Sequence, residues 1–267
     1  MTIRIAELTD PVEHQAVATL FQRIWRDPQL PVDPPMLRAL SHAGNYVSGA
    51  YAGEELVGAA VAFLGIDNAV TDRPHLHSHI TGVLSGHRAS GVGYALKQHQ
   101  RSWSLDRGIG RVCWTYDPLV RRNAYFNFHK LGAEPVEYLP DFYGHMADGI
   151  NAGDLSDRMY ISWDLSAPRA VAAANGVVSD VELAGAAVRL DHDGDAPGKL
   201  RRVGSGPVLV AIPADIEKLR GSAPEVASAW RLAVREAMVG CFAEGRRVVG
   251  VARDGWYVMS GRNEAAQ

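Results

Sequence analysis

Cysteine and long apolar runs are both scarce in this chain of 267 residues. The two cysteines, Cys113 and Cys241, are too few for a disulfide framework, so we expect a reducing, cytoplasmic setting. No stretch approaches the roughly 20 consecutive apolar residues that a membrane-spanning helix needs. Arg4 interrupts the N-terminal segment, which therefore does not predict a signal peptide. We expect no membrane partner.

A large excess of charge is absent as well. The 27 Lys and Arg residues nearly balance the 30 Asp and Glu residues, which gives a net charge of -3. Nothing in this balance predicts a nucleic-acid partner, because binding a polyanion would need a local basic patch. The composition is otherwise that of a globular protein, and the length fits one large domain or two modest ones.

The order of elements predicts a mixed α/β sheet over residues 1–165. Asp10 and Glu13 form a capping box with Pro11 at the first helical position, which predicts that a helix follows the first strand. The predicted order is β-α-α-β-β-β-α-β-α-β-β. The later elements are strands at 45–52, 56–66, 75–84 and 111–116, helices after residue 88 and at 119–131, and strands near 135–143 and 159–165.

Residues 166–267 predict an additional C-terminal α+β region. Its first part, up to about residue 206, is interpreted as a linker followed by weak strands. A strand at 208–212 follows. Ser222 and Glu225 are interpreted as a second capping box that opens a long helix. Residues 248–252 and 256–259 predict a final hairpin.

A glycine segment joins the strand at 75–84 to the helix that follows. It has the form Arg88-x-x-Gly91-x-Gly93. Unpaired N–H groups at a helix start attract an anion, glycines let the backbone approach a pyrophosphate, and an arginine adds a charged hydrogen bond. The Lys that a Walker loop needs is missing, and so is the third glycine of a dinucleotide fingerprint. On the motif alone, a tight turn without a ligand remains equally open.

The context of this segment resembles the GNAT acyltransferase superfamily over about residues 1–165. The glycine motif between its strand and helix resembles one family motif, and Asn123, Ala124, Phe128 and residues 131–133 resemble the next. The resemblance implies a GNAT-type mixed sheet flanked by helices. It also implies an N-acyltransferase that uses acetyl-CoA or another acyl-CoA. We expect no metal.

A narrower resemblance, to a bacterial GNAT-like subfamily with a C-terminal extension, implies a succinyl donor and an amino acid acceptor. It rests on residues 77–79, 114–119, 123–127, 142–144, 156–158 and Trp163. We expect a small-molecule amine as acceptor, and a C-terminal region that shapes the acceptor pocket or a homodimer interface.

The resemblance also assigns candidate CoA-binding residues. Backbone groups of the strand end would pair with pantetheine, and the glycine segment would hold the pyrophosphate. The candidates are Gly82, Val83, Leu84, Arg88, Ser90, Gly91, Val92, Gly93, Tyr94 and Asn123.

One position departs from the family pattern. Many members have a tyrosine there, as general acid for the leaving thiolate, whereas this chain has Phe128. Tyr143 is a candidate replacement, and Tyr125 is a candidate substrate-binding residue on a neighbouring helix face. The departure leaves open a CoA-binding sensor or scaffold without catalysis.

Three histidines, His75, His77 and His79, alternate along one predicted strand and so point to the same face. An imidazole with a pKa near 6.5 suits the deprotonation of an amine, and His79, nearest the glycine segment, is the candidate base. His77 is a candidate substrate contact. The alternatives are ordinary strand histidines or, less favoured, the metal site of a hydrolase, for which no further ligand motif is evident.

Two charged residues complete the candidate site. Asp117 follows a strand, where it could orient a base or cap the next helix. Arg158 could clamp a substrate carboxylate or form a surface ion pair.

Overall fold

The computed structural model describes residues 2–26, 29, 31–66, 73–144, 153–177 and 185–261. They form two compact units. The first comprises the described residues up to Trp114 together with Trp163–Ala167, and the second comprises the remainder. This partition differs from the predicted division after residue 165, because residues 115–144 cluster with the C-terminal region.

The first unit is a mixed sheet with helices. Its elements are β1 (Ile3–Glu7), α1 (Pro11–Trp25), α2 (Pro34–His42), β2 (Tyr46–Ala52), β3 (Glu55–Gly65), β4 (His75–Val83), α3 (Val92–Asp106) and β5 (Arg111–Tyr116, up to Trp114). Strands β1 to β4 pair in sequence order and antiparallel, whereas β5 runs parallel to β4. The predicted hairpin of β2 and β3 and the mixed sheet are confirmed.

The core of this unit lies between the sheet and α1. The helix begins at the predicted capping box, in which the Asp10 carboxylate accepts from the Val12 N–H at 2.7 Å and Glu13 accepts from the Asp10 N–H at 3.0 Å. This fixes the helical phase that buries Val17 and Phe21 against the sheet.

The second unit contains the remaining strands. Its elements are α4 (Arg121–Tyr125), a π-helical turn (Phe126–Lys130), β6 (Glu134–Leu139), β7 (Arg158–Asp164, up to Ser162), α5 (Pro168–Ala174), β8 (Ala187–Leu190), β9 (His192–Asp193), β10 (Ala196–Pro197), β11 (Val208–Ala211), α6 (Ile216–Ser222), α7 (Pro224–Ala243), β12 (Arg247–Ala252) and β13 (Trp256–Ser260). β6 pairs antiparallel with β7, and a four-stranded sheet has the order β12-β13-β11-β8. The predicted final hairpin is confirmed as β12 and β13.

Three sequence predictions in this unit are wrong in detail. The predicted helix at 119–131 begins later and ends in a π-helical turn. Ser222 does not cap α7, because it ends α6 and its hydroxyl donates to the Lys218 carbonyl. The predicted linker contains helix α5, whose buried alanines pack it in place.

No helix among the described residues has both the length and the apolar character needed to cross a bilayer.

Gly132, which follows the π-helical turn, has no space for a Cβ. It has a φ of +67°, and a Cβ placed there would lie 2.5 Å from the Arg169 carbonyl oxygen. Gly108 has a φ of +72° and open space around it. We expect Gly108→Ala to cost about 1 kcal/mol of unfolding free energy, the strain of the left-handed backbone. Gly132→Ala should cost roughly 3 kcal/mol in total, because the Arg169 backbone must also move. Urea denaturation measures both, and equal losses would contradict the assigned contact.

Candidate active site

Strand β4 has an edge that is only partly paired. It pairs with β3 along its length, but with β5 only at Leu76–Val112 and His77–Cys113. Among the described residues, the edge of β4 beyond His77 has no strand partner on the β5 side. The backbone N–H and C=O groups of this edge are thus available to an extended ligand. The pair His77–Cys113 marks the fork between β4 and β5.

A bulge lies just beyond the fork. Ser78 pairs with Ala62 and Ile80 pairs with Val61, so His79 has no partner in the β3 register. An extra residue of this kind leaves backbone groups out of the ladder and re-aims the side chain. The bulge therefore places the His79 side chain and unpaired backbone groups side by side.

The glycine segment follows β4 as predicted. A 3₁₀ turn spans Ser85–Ser90, and Gly91, with a φ of +79°, is the N-cap of α3. The Ala95 N–H bonds to the Gly91 carbonyl at 2.9 Å, so the amides of Val92 and Gly93 precede the first intrahelical bond. A Cβ at Gly93 would meet only Val83, at 3.9 Å. The helix start therefore has donors and open space for an anion.

The other candidate CoA-binding residues of this unit have different surroundings. Arg88 and Ser90 are exposed, and the Ser90 hydroxyl donates to the His87 carbonyl at 2.8 Å. Val83, Leu84 and Tyr94 are partly buried. Gly82 is constrained by packing, since a Cβ there would lie 2.8 Å from the Trp25 ring. Its small size lets β4 lie close against α1.

Of the three histidines of β4, His75 is buried, His77 is half-buried and His79 is exposed. His75 is buried against Gly65, whereas His77 and His79 lie with ring centroids 5.0 and 5.8 Å from that of Phe63. Burial, and then the neighbouring positive groups, lowers the pKa of His77 to about 4. Burial beside the rings lowers the pKa of His79 below its ordinary value. Both imidazoles are therefore neutral at pH 7 and able to accept a proton.

This arrangement of strand, bulge, glycine turn and helix matches a known family. The model of the acetyltransferase (GNAT) family matches residues 14–133.

The match covers 120 of the 267 residues and is a likeness of this part of the chain to the GNAT family.

One solved structure, at a TM-score of 0.50, supports a GNAT-type fold. The protein yncA of Salmonella typhimurium, described with its cofactor acetyl-CoA, has a TM-score of 0.50 and 15% identity, covering 62% of this chain and 96% of its own. The ribosomal-protein-S18-alanine N-acetyltransferase of Escherichia coli has a TM-score of 0.48 and 12% identity, covering 62% and 96%. Identities this low speak for the fold alone. A search of curated proteins found no match.

Helix α3 carries a charged side chain that the sequence did not single out. Lys97 of α3 is buried, and its ammonium donates to the Ser78 hydroxyl at 2.8 Å and to the Gln100 carbonyl oxygen at 3.1 Å. The Trp114 ring centroid lies 4.0 Å from Nζ. Burial lowers the pKa of Lys97 to about 7. An amphipathic helix normally directs a lysine to solvent, so no local signal identified this one.

In the second unit, Asp117 belongs to a buried ionic cluster. Its carboxylate accepts two hydrogen bonds from Arg231, at 2.9 and 3.0 Å, and another from Arg220. Asp154 accepts from the same two arginines. Burial would raise the pKa of Asp117, but Arg231 and Arg220 outweigh it and hold this pKa well below the usual range. Asp117 also accepts from the Leu119 N–H at 3.0 Å, so it organises the chain before α4.

Three further candidates of this unit already have partners. The Tyr143 hydroxyl lies 3.0 Å from the Thr115 hydroxyl, and the Tyr125 hydroxyl accepts from Arg253 at 3.0 Å. Arg158 is buried, donates to the Asp157 carbonyl and lies over the Tyr143 ring.

The last two candidate positions of this unit, Asn123 and Phe128, differ in exposure. Asn123, on α4, is exposed. Phe128 is buried under the Arg169 guanidinium, which lies 3.9 Å from its ring centroid. The position that carries the acid in many GNAT proteins is thus filled by a packed apolar ring.

Metal binding was the less favoured interpretation of the histidine strand. Within the described part of the chain, no group of three or more His, Cys, Asp or Glu side chains is arranged to hold a metal ion.

The buried ammonium of Lys97 predicts an unusual pH dependence of stability. A lysine titrates near 10.5 when unfolded and near 7 here, so the unfolded state binds more protons between these values and stability rises with pH. Relative to Lys97→Met, the wild-type protein should gain roughly 2 kcal/mol of unfolding free energy from pH 7 to pH 9. Parallel urea titrations of both proteins test this, and identical pH profiles would contradict it.

Proposed function

We propose that this protein is an acyl-CoA-dependent N-acyltransferase that acts on the primary amine of a small molecule. The observation that carries the proposal is the unpaired edge of β4, which leads through the glycine turn into the start of α3. Such an edge matches the amide-bearing pantetheine chain, and such a helix start matches a pyrophosphate.

The donor site is proposed to use this edge from end to end. Backbone groups of Gly82 and Val83 pair with pantetheine, whereas the Leu84 N–H donates to the Val57 carbonyl and the Leu84 carbonyl accepts from the His87 N–H, both at 2.9 Å. The amides of Val92 and Gly93 bind the pyrophosphate with help from Arg88. Gly91 and Gly93 leave the space that the phosphates need. Acetyl-CoA and succinyl-CoA are the proposed donors. Asn123 is the proposed contact from α4.

The proposed chemistry is direct attack of the amine on the thioester. His79 takes the proton that the amine must lose, and its lowered pKa keeps it in the accepting form at pH 7. Backbone N–H groups released by the bulge at His79 stabilise the oxyanion. His77 and Phe63 flank this position and contribute to the acceptor site.

The acceptor is proposed to be a small amine, with an amino acid as the finer assignment. An amino acid would present a carboxylate, for which Arg158 is the proposed partner, and Tyr125 is the proposed neighbouring contact. A homodimer formed through the C-terminal region stays part of this proposal. Asp117 is left out of the proposed proton transfers, because two arginines and a backbone amide already occupy its oxygens.

A CoA-binding sensor without catalysis is the second candidate. It is favoured by the buried Phe128, which has no proton to give to a thiolate. Tight CoA binding without turnover over a broad amine panel would support it.

The donor site can be tested by charge at one position. Gly93→Asp and Gly93→Asn add side chains of equal size in open space, and an acid at a helix start favours folding. The aspartate should weaken CoA binding at least about tenfold relative to the asparagine, since it repels the pyrophosphate. Calorimetric titration with CoA, acetyl-CoA and succinyl-CoA measures this. Equal affinities for the two variants and the parent would sink the assignment.

The base can be tested by turnover at saturating amine. His79→Ala should lower kcat by about 100-fold and leave the CoA affinity unchanged. On the acid side, the wild-type kcat should begin to fall only below the ordinary histidine pKa, because burial lowers the pKa of His79. His42→Ala, a histidine change on α2, is the matched control. A His79→Ala variant with full turnover would exclude His79 as the base.

A further inference from the structure

Lys97 lies at the fork of the sheet. The last paired residues are His77 of β4 and Cys113 of β5. The next residue is Ser78 on β4 and Trp114 on β5. Both of these contact the Lys97 ammonium, one through its hydroxyl and one through its ring face. The only cation of α3 that the structure buries against the sheet is thus held where the two strands part.

This ammonium has no carboxylate partner. Among the described residues, no Asp or Glu oxygen forms an ion pair with Lys97. The titratable groups on the elements packed against α3 have other contacts. Glu7 of β1 accepts from Trp103, and Tyr46 of β2 bonds His99. His77 on β4 adds a second basic group. A buried cation without a counter-ion is costly, so a packing role alone does not explain it.

The surroundings of Lys97 also have unused donors. Gln100 is fully buried, and its Nε2 has no acceptor in the described structure. The Ser78 hydroxyl accepts from Lys97 and so retains its own proton, for which no acceptor is present among the described residues. Buried donors of this kind normally have acceptors, and here an acceptor from outside the chain would complete the set.

We propose that Ser78, backed by Lys97, delivers the proton that the CoA thiolate takes up when the thioester is cleaved. This inference rests on the proposed function. The amine nitrogen forms a bond to the acyl carbon, the C–S bond breaks, and the sulfur leaves with the electron pair. The Ser78 O–H proton goes to sulfur and a Lys97 N–H proton goes to Ser78. The amine proton goes to His79, and solvent then restores both groups.

The placement of the two proton-transfer groups fits this sequence. Ser78 and His79 are consecutive, with Ser78 bonded to α3 and His79 grouped with His77 and Phe63 on the other side of the strand. The proton acceptor for the attacking amine and the proton donor for the leaving sulfur thus lie on opposite faces. A lysine with a pKa of about 7 retains a proton to give at neutral pH and loses it readily.

The test compares Ser78→Ala and Lys97→Met with Lys130→Met, which removes an exposed lysine. Both site variants should lower kcat at saturating amine by about 100-fold while the CoA affinity stays within about threefold of wild type. The wild-type kcat should fall above about pH 7, as Lys97 loses its proton, and this basic limb should vanish in Lys97→Met. Ser78→Thr keeps the hydroxyl and should therefore retain most of the turnover. If Ser78 served packing alone, turnover would not depend on the presence of a hydroxyl.

The outcomes separate this inference from the proposed function. If the wild-type protein does not bind acyl-CoA, the proposed function itself is overturned. The proton transfer from Lys97 through Ser78 alone would be overturned if both site variants bind acyl-CoA, keep the full kcat and still lose activity above about pH 7. Tyr143→Phe serves as the rival variant, and a loss of turnover confined to it would assign the acid to Tyr143 instead.

Discussion

The end of the pairing between β4 and β5 is the constraint on which the candidate site depends. Two paired residues, Leu76 and His77, join the strands in parallel, and beyond them β4 continues without a strand on that side. Backbone groups left unpaired in this way must find water or a ligand. The residues directly beyond the last pair, Ser78 and Trp114, contact the Lys97 ammonium of α3, so the unpaired edge and the buried charge lie at the same point of the sheet.

Much of the first unit could be predicted because its signals are local. The capping box at Asp10 and the alternation of β2 and β3 need only neighbouring residues to form. The glycine turn before α3 is equally local, since Gly91 adopts the left-handed backbone that other residues avoid. In the second unit the local signal misled at Ser222, where helix α6 already used the hydroxyl.

The electrostatics of the site could not be predicted, because they depend on contacts between distant segments. Asp117 lies at the end of a strand, where an aspartate could orient a base. Arg231, more than a hundred residues later, donates hydrogen bonds to both of its oxygens. Lys97 has the spacing of an ordinary helical lysine, and only the packing of α3 on the sheet buries it. The histidine spacing was informative, but only the structure shows that His75 packs against Gly65 while His79 is exposed.

The bulge at His79 is a one-residue insertion in β4 relative to its partner strand β3. With one residue fewer between Ser78 and Ile80, the ladder with β3 would run without a break and could gain regularity. Ser78 would stay opposite Ala62 and Ile80 opposite Val61, so the residues on both sides of that point would keep their faces. A single-codon deletion of His79 would therefore remove only the extra residue and its unpaired backbone groups, while the strand on both sides keeps its register with β3.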